Sequence, residues 1–159
     1  MASPPRTNLR GRYELREELG KGGMGIVYRA WDSVMQRDVA LKTILDIDNP
    51  QLVDMFYKEW GVLASMIHSN VISIYDVGEF EHEGSRKPFF VMPLLPGATL
   101  DKLIRDGSPR LNVDNVVAMI EQAARGLQAA HEHALVHGDI KPSNIFVLDD
   151  DTEIGRAHV

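Results

Sequence analysis

Cysteine is missing altogether from the 159 residues. No disulfide can staple the fold, and no thiolate can serve as nucleophile or metal ligand, which is compatible with a reducing compartment. No run of about 18 apolar residues occurs, so no membrane-spanning helix is expected. The opening stretch "MASPPRTNLRGRYEL" lacks the apolar centre of a secretory signal and reads as a short flexible lead-in. Positive charge is in deficit, since 17 Lys and Arg against 23 Asp and Glu leave a net charge of −6. A phosphate backbone requires a basic face, so nucleic acid is not an expected partner. Internal repeats and low-complexity tracts are also absent, which excludes solenoids and arrays. What remains is 44% hydrophobic and 25% charged, the composition of a soluble globular protein, expected to be cytoplasmic.

Residues 13 to 44 read as three strands, "YELREELG", "GIVYRAWD" and "RDVALKTI", rich in β-branched and aromatic residues and separated by Gly, Asp and Ser. Asn49-Pro50 opens a helix with Leu52, Val53, Phe56, Trp60, Leu63 and Ala64 at helical spacing. "VISIYDVGEF" and "PFFVMPLL" predict two more strands around a charged turn. After "LPGA" the pattern turns helical. A short helix is expected near Thr99 to Arg105 with Thr99 as N-cap, and a long one from about Asn112 to His133. Its apolar stripe is read as Val113, Val116, Val117, Ile120, Ala123, Ala124, Leu127 and Ala130. "IFVL" is a further strand ahead of the acidic turn "DDDT". A five-stranded sheet with one helix is therefore followed by a helical region, with the boundary near Leu95 to Gly97.

Three stretches carry chemistry. "LGKGGMGIVY" spaces Gly20, Gly22 and Gly25 ahead of Val27, and glycines so placed let backbone N–H groups approach phosphates closely. A dinucleotide-binding turn would need a helix directly after the glycines, whereas here a strand follows. A plain glycine-rich hairpin satisfies the same pattern. Lys42 ends "VALK", 17 residues after Gly25. Strand alternation puts it on one face with the small Ala40, leaving room for a flat ligand. A lysine buried there needs a carboxylate, and Glu59 on the following helix is placed to supply one. "HGDIKPSN", residues 137 to 144, is by itself equally a polar turn or a catalytic loop.

Taken in order, these motifs resemble those of the serine/threonine protein kinases, most closely the bacterial ones. The resemblance implies an α+β kinase-like fold, with a five-stranded antiparallel N-terminal lobe and one long helix. The first part of a mainly helical C-terminal lobe follows. Residues 1–12 become the lead-in, 13–94 the ATP-binding lobe, and 95–152 the hinge and incomplete second lobe. By the same resemblance the glycine loop covers the phosphates of ATP, while Lys42, paired with Glu59, holds the α- and β-phosphates. Val27 and Ala40 pack on the adenine, Met92 stands at the back of the pocket, and Leu95 offers its N–H to the ring. Asp139 takes or orients the proton of a protein Ser or Thr hydroxyl, Lys141 steadies the γ-phosphate, and Asn144 holds a magnesium ion.

The sequence departs from the family at several points. Pro93 stands where relatives often carry Glu, but only a carbonyl is used there. Gly138 replaces an Arg that commonly binds a phosphorylated activation loop, so that mode of regulation is not expected. Small-molecule phosphotransferases share "HGD", and a nucleotide-binding module without catalysis is the other alternative. The family's Asp-Phe-Gly falls about 13 residues after the loop Asn, and no such motif stands near Ala157 and His158. The stretch 153–159, "EIGRAHV", fits no strand of the family and is read as a non-native tail. The chain is accordingly expected to be a fragment with little or no kinase activity, and a membrane anchor after the domain stays open. His131 and His133, two apart on a helix, point to different faces and are not expected to ligate a metal. Met55, Met66 and Met119 read as core filler.

Overall fold

The computed structural model describes residues 8–22, 25–132, 134, 138, 140–149 and 157–158. These divide into two compact units, with breaks after Ala64, Ser73 and Leu94, so that Ser65–Ser73 groups with the second.

The first unit contains β1 (Asn8–Leu9), β2 (Tyr13–Lys21), β3 (Gly25–Asp32), β4 (Arg37–Ile44), α1 (Pro50–Ala64), β5 (Asp76–His82) and β6 (Ser85–Pro93). Its strands form one antiparallel sheet in the order β1-β2-β3-β4-β6-β5. The five expected strands gain a sixth in β1. Two residues are too few to show a period, yet Leu9 pairs with Tyr13 and is buried. Alternation on β4 sorts the sheet's two faces. Val39 and Leu41 join Leu9, Tyr13, Leu15, Ala30, Phe89 and Val91 in one core. Ile44 and Phe90 meet Phe56 of α1 in the other. The helix starts where the sequence places it. Asn49 caps it, its Oδ1 accepting from the N–H groups of Gln51 at 3.1 Å and Leu52 at 3.4 Å, and Pro50 fills the first turn. Met55, expected in the core, is 49% exposed on this helix.

A polar network ties the sheet's end together. The Arg12 guanidinium donates to both Asp32 oxygens at 2.9 and 2.8 Å and to Asp76 Oδ2 at 3.1 Å, which also accepts from the Tyr13 hydroxyl at 2.6 Å. The Arg12 hydrogen bond, helped by the Met35 and Val34 N–H groups, holds the buried Asp32 carboxyl down to about 2 against its desolvation. Burial first, and then the hydrogen bond to Asp76, push the Tyr13 phenol well above its ordinary value.

The second unit contains β7 (Gly97–Thr99), α2 (Leu100–Arg105), α3 (Val113–Glu132), a 3-10 turn at Pro142–Asn144, β8 (Phe146–Leu148) and β9 (Ala157–His158). Thr99 caps α2 as expected, its Oγ1 accepting from the Lys102 N–H at 3.3 Å. The strands β7, β8 and β9 make a small antiparallel sheet in that order. At Gly97 the backbone takes φ +138°, and an added Cβ would run into the Val147 carbonyl, so glycine is obligatory. Leu100, Leu103, Met119, Ala123, Ile145 and Val147 form the core. The buried face of α3 is Met119, Ala123, Gly126 and Ala130, whereas Val113, Val117 and Ile120 of the expected stripe are exposed. The expected strand from Val71 does not begin until Asp76, because Val71 is drawn into the second unit beside Asn70 and Gly126. Of the stretch 153–159, Ala157 and His158 pair with β8, and the remainder lies outside the described residues. No described helix is long and apolar enough to cross a membrane.

Candidate active site

In the first unit the glycine-rich segment joins β2 to β3. Gly20 pairs with Val27, and the Gly22 N–H donates to the Gly25 carbonyl at 2.9 Å, closing the hairpin. The three glycines differ in what the fold asks of them. A Cβ at Gly25 would lie 2.5 Å from the Thr43 carbonyl oxygen, so β3 can pass β4 there only as glycine. At Gly20 and Gly22 an added Cβ would meet nothing within 4 Å, and neither residue has a positive φ. Among the described residues, packing gives no reason for glycine at these two positions.

Next to the hairpin, Val27 pairs with Lys42, and Ala40 with Met92. Ala40 is buried, and Met92 packs against the cluster beneath α1. The Lys42 ammonium donates to both Glu59 oxygens, at 2.5 Å to Oε1 and 2.6 Å to Oε2. Their side chains are 18% and 31% exposed, so the charges are shielded without being sealed from an incoming anion. The pairing follows from local rules. Lys42 shares a sheet face with Ala40 and Ile44, and Glu59 shares a helix face with Phe56 and Leu63.

In the second unit, Leu95, two residues ahead of Gly97 in the chain, is half-buried. Gly138 takes φ +73°, and Lys141 is the extended residue ahead of the 3-10 turn, its carbonyl accepting the Asn144 N–H at 2.9 Å. Pro142 occupies the first position of this turn, where no N–H is needed. Lys141 is exposed and Asn144 half-buried, three residues apart on one tight turn. Asp139, expected to handle the hydroxyl proton, lies outside the described residues, as do His137, Gly23 and Met24.

Two aromatic residues near the ion pair were given no role at the site by sequence reasoning, which read Phe56 only as an apolar position of the helix. Phe90 lies across from Lys42 in the sheet, with the ammonium 5.8 Å from its ring centroid, and Phe56 stacks on Phe90 at 5.3 Å. Phe90's place two residues before Met92, on the same face, and Phe56's place one turn before Glu59 were the available signals.

Comparison with known proteins identifies the family. The profile of the protein kinase domain matches residues 13–155. The DNA damage-responsive serine/threonine-protein kinase RqkA of Deinococcus radiodurans is 38% identical over 160 residues, 98% of this chain and 23% of that protein. Serine/threonine-protein kinase PksC of Streptomyces coelicolor is 35% identical over 86% of this chain and 26% of its own length. For PknA of Mycobacterium tuberculosis the values are 35%, 87% and 33%. This chain thus spans between 23% and 33% of the length of these curated relatives. Among solved structures, an apo form of PpkA superposes with a TM-score of 0.78 at 21% identity, covering all of this chain and 60% of that one. The kinase domain of PknI from Mycobacterium tuberculosis, in a cysteine-to-alanine variant, gives 0.72 at 23%, covering all of this chain and 62% of its own. Both structural likenesses bear on the fold. With nearly the whole chain matched by one profile, and with named bacterial serine/threonine kinases aligned over most of it, the chain belongs to the protein kinase family.

Proposed function

We propose that the chain carries the nucleotide-binding and part of the phosphoryl-transfer apparatus of a serine/threonine protein kinase, moving the γ-phosphoryl group of ATP to a protein Ser or Thr hydroxyl. The supporting observation is Lys42, gripped by both oxygens of Glu59 beside a hairpin with two glycines the fold does not itself require. Such glycines make sense when a phosphate must come against the backbone. An ammonium fixed by a carboxylate meets the α- and β-phosphates without first having to be ordered.

Val27 and Ala40 are then the residues that pack on the adenine, Met92 the one behind it, and Leu95 the N–H donor assigned to the ring. Asn144 offers a hard amide oxygen suited to magnesium. Among the described residues no group of three or more His, Asp or Glu could hold an ion alone. Asn144 would hold magnesium together with the nucleotide's phosphates, which commonly supply part of this ion's coordination. When bound it supplies charge neutralisation across the phosphates. The substrate hydroxyl oxygen forms the new bond to the γ-phosphorus, the bond to the ADP oxygen breaks, and Asp139 receives the hydroxyl proton. Lys141 faces the charge on the transferred group. A cytoplasmic setting, where ATP and reduced thiols prevail, accords with the absence of cysteine.

Binding of a fluorescent ATP analogue with magnesium tests the reading. Lys42→Met should weaken it about tenfold or more, since a hydrogen bond to a charged group is worth about 1.5–3 kcal/mol. Asp139→Asn should leave binding intact and, in a transfer-competent form of the protein, reduce phosphate transfer about 10²- to 10⁴-fold. Unchanged affinity in Lys42→Met would overturn the nucleotide site. Labelling of an aminoglycoside in preference to a basic protein would move the assignment to small-molecule phosphotransfer.

A further inference from the structure

The ion pair belongs to a closed circuit of contacts. Glu59 on α1 holds Lys42 on β4, Lys42 lies over the ring of Phe90 on β6, and Phe90 stacks on Phe56, one turn before Glu59 on the same helix. Both rings are completely buried. Among the described side chains of α1, Phe56 is the one fully buried residue; the others are half-buried or exposed. Phe56 and Glu59 thus stand one turn apart as an aromatic and a charged peg on the side of the helix that meets the sheet, with Leu52, Val53, Trp60 and Leu63 packed around the same cluster. Rotating the helix about its axis would pull both out together, because residues three apart share a face.

We propose that Phe56 and Phe90 are positioning residues for the Lys42 and Glu59 pair: their stack sets the depth and rotation of α1 at which the Glu59 carboxylate reaches Lys42 with both oxygens. Burial without packing specificity would seat the helix at many rotations. Tilted rings 5.3 Å apart at 40° select one, since aromatic pairs favour particular offsets. Phe90 serves twice, flooring the Lys42 ammonium with its π-face at 5.8 Å and receiving Phe56 alongside. The geometry therefore assembles the ion pair by packing, before any ligand arrives. Its bearing on catalysis rests on the nucleotide reading above, but the positioning itself does not.

The test is the acylation rate of the Lys42 amine under limiting acetic anhydride, read by peptide mass spectrometry and normalised to the exposed Lys58 of the same chain. It is run on the unaltered chain, Phe56→Leu, Phe90→Leu, Glu59→Gln and the doubles with Glu59→Gln. Each Phe→Leu change should raise the Lys42 to Lys58 ratio about fivefold, and with Glu59→Gln already present should add less than about twofold, the non-additivity of residues acting through one another. An unchanged ratio in the single variants overturns the proposal. So does an equal rise in both backgrounds, because general loosening of the helix would not depend on Glu59. If circular dichroism shows either leucine variant unfolded, the corresponding Phe→Met change, closer in volume, is read by the same criteria. Magnesium-ATP added to the unaltered chain separates the two readings. Failure to protect Lys42 counts against nucleotide binding, while the ratios still decide the positioning.

Discussion

A glycine's purpose can be read from what a methyl group would meet there, and the three glycines of the hairpin divide on that basis. Gly25→Ala places its Cβ against the Thr43 carbonyl oxygen and should lower the melting temperature markedly, since β3 must move off β4. Gly20→Ala and Gly22→Ala meet open space and should leave thermal stability nearly unchanged while weakening binding of the ATP analogue. Thermal unfolding and analogue titration on the same three variants check the split. Equal melting losses for all three would mean that the fold, and not a ligand, calls for every glycine. Lys42 and Glu59 show the complementary case of residues explained by each other. Neither is sealed from water, and a pair between half-exposed charges contributes little to stability by itself. Its value lies in what the ordered ammonium can meet.

Helix α3 depends on a small residue in its interior. At Gly126 an added Cβ would lie 2.9 Å from the Asn70 carbonyl oxygen and 3.4 Å from a Val71 methyl, so the segment after α1 lies directly on the helix backbone. Glycine in a helix usually gives up about 1 kcal/mol relative to alanine. Gly126→Ala should nevertheless destabilise the protein, lowering the denaturant midpoint, and a raised midpoint would show that the contact yields. Close approaches of this kind explain where sequence reading stops. The start of α1 was legible because Asn49-Pro50 is a local signal, and Lys42 opposite Glu59 because period two on a strand and period 3.6 on a helix settle their faces. The strand expected from Val71 was not, because Asn70 and Val71 answer to a helix some 50 residues on. On α3 the apolar residues run around more than one face, so spacing could not tell that Met119 and Ala123 go in while Val117 and Ile120 stay out. The positions of Phe56 and Phe90 were legible, but their contact, between elements distant in the chain, was not.

Whole-molecule stability should carry the signature of the network around Arg12. Asp32 has its folded value held near 2, below its ordinary 3.8, so its contribution is present above about pH 4 and lost as the pH falls toward 2. The shift corresponds to about 2 kcal/mol. Tyr13 is shifted in the opposite sense, from an ordinary 10.0 upward, so its contribution is intact below pH 10 and fades above it. Denaturant midpoints across the pH range should therefore form a plateau with an acid and an alkaline shoulder. Arg12→Met should flatten the acid shoulder, and an unaltered acid limb in that variant would remove Asp32 as its cause. The discontinuity of the second unit has a different consequence, in time. Ser65–Ser73 leaves the ribosome well ahead of the helix it packs on: Asn70 and Gln122, which share a hydrogen bond, are 52 residues apart. At 5–20 residues per second, that is roughly 3 to 10 s of synthesis. Met66 and Val71, buried in the finished protein, must wait through that interval without their cover, the period in which a nascent chain is most open to chaperones or to a wrong partner.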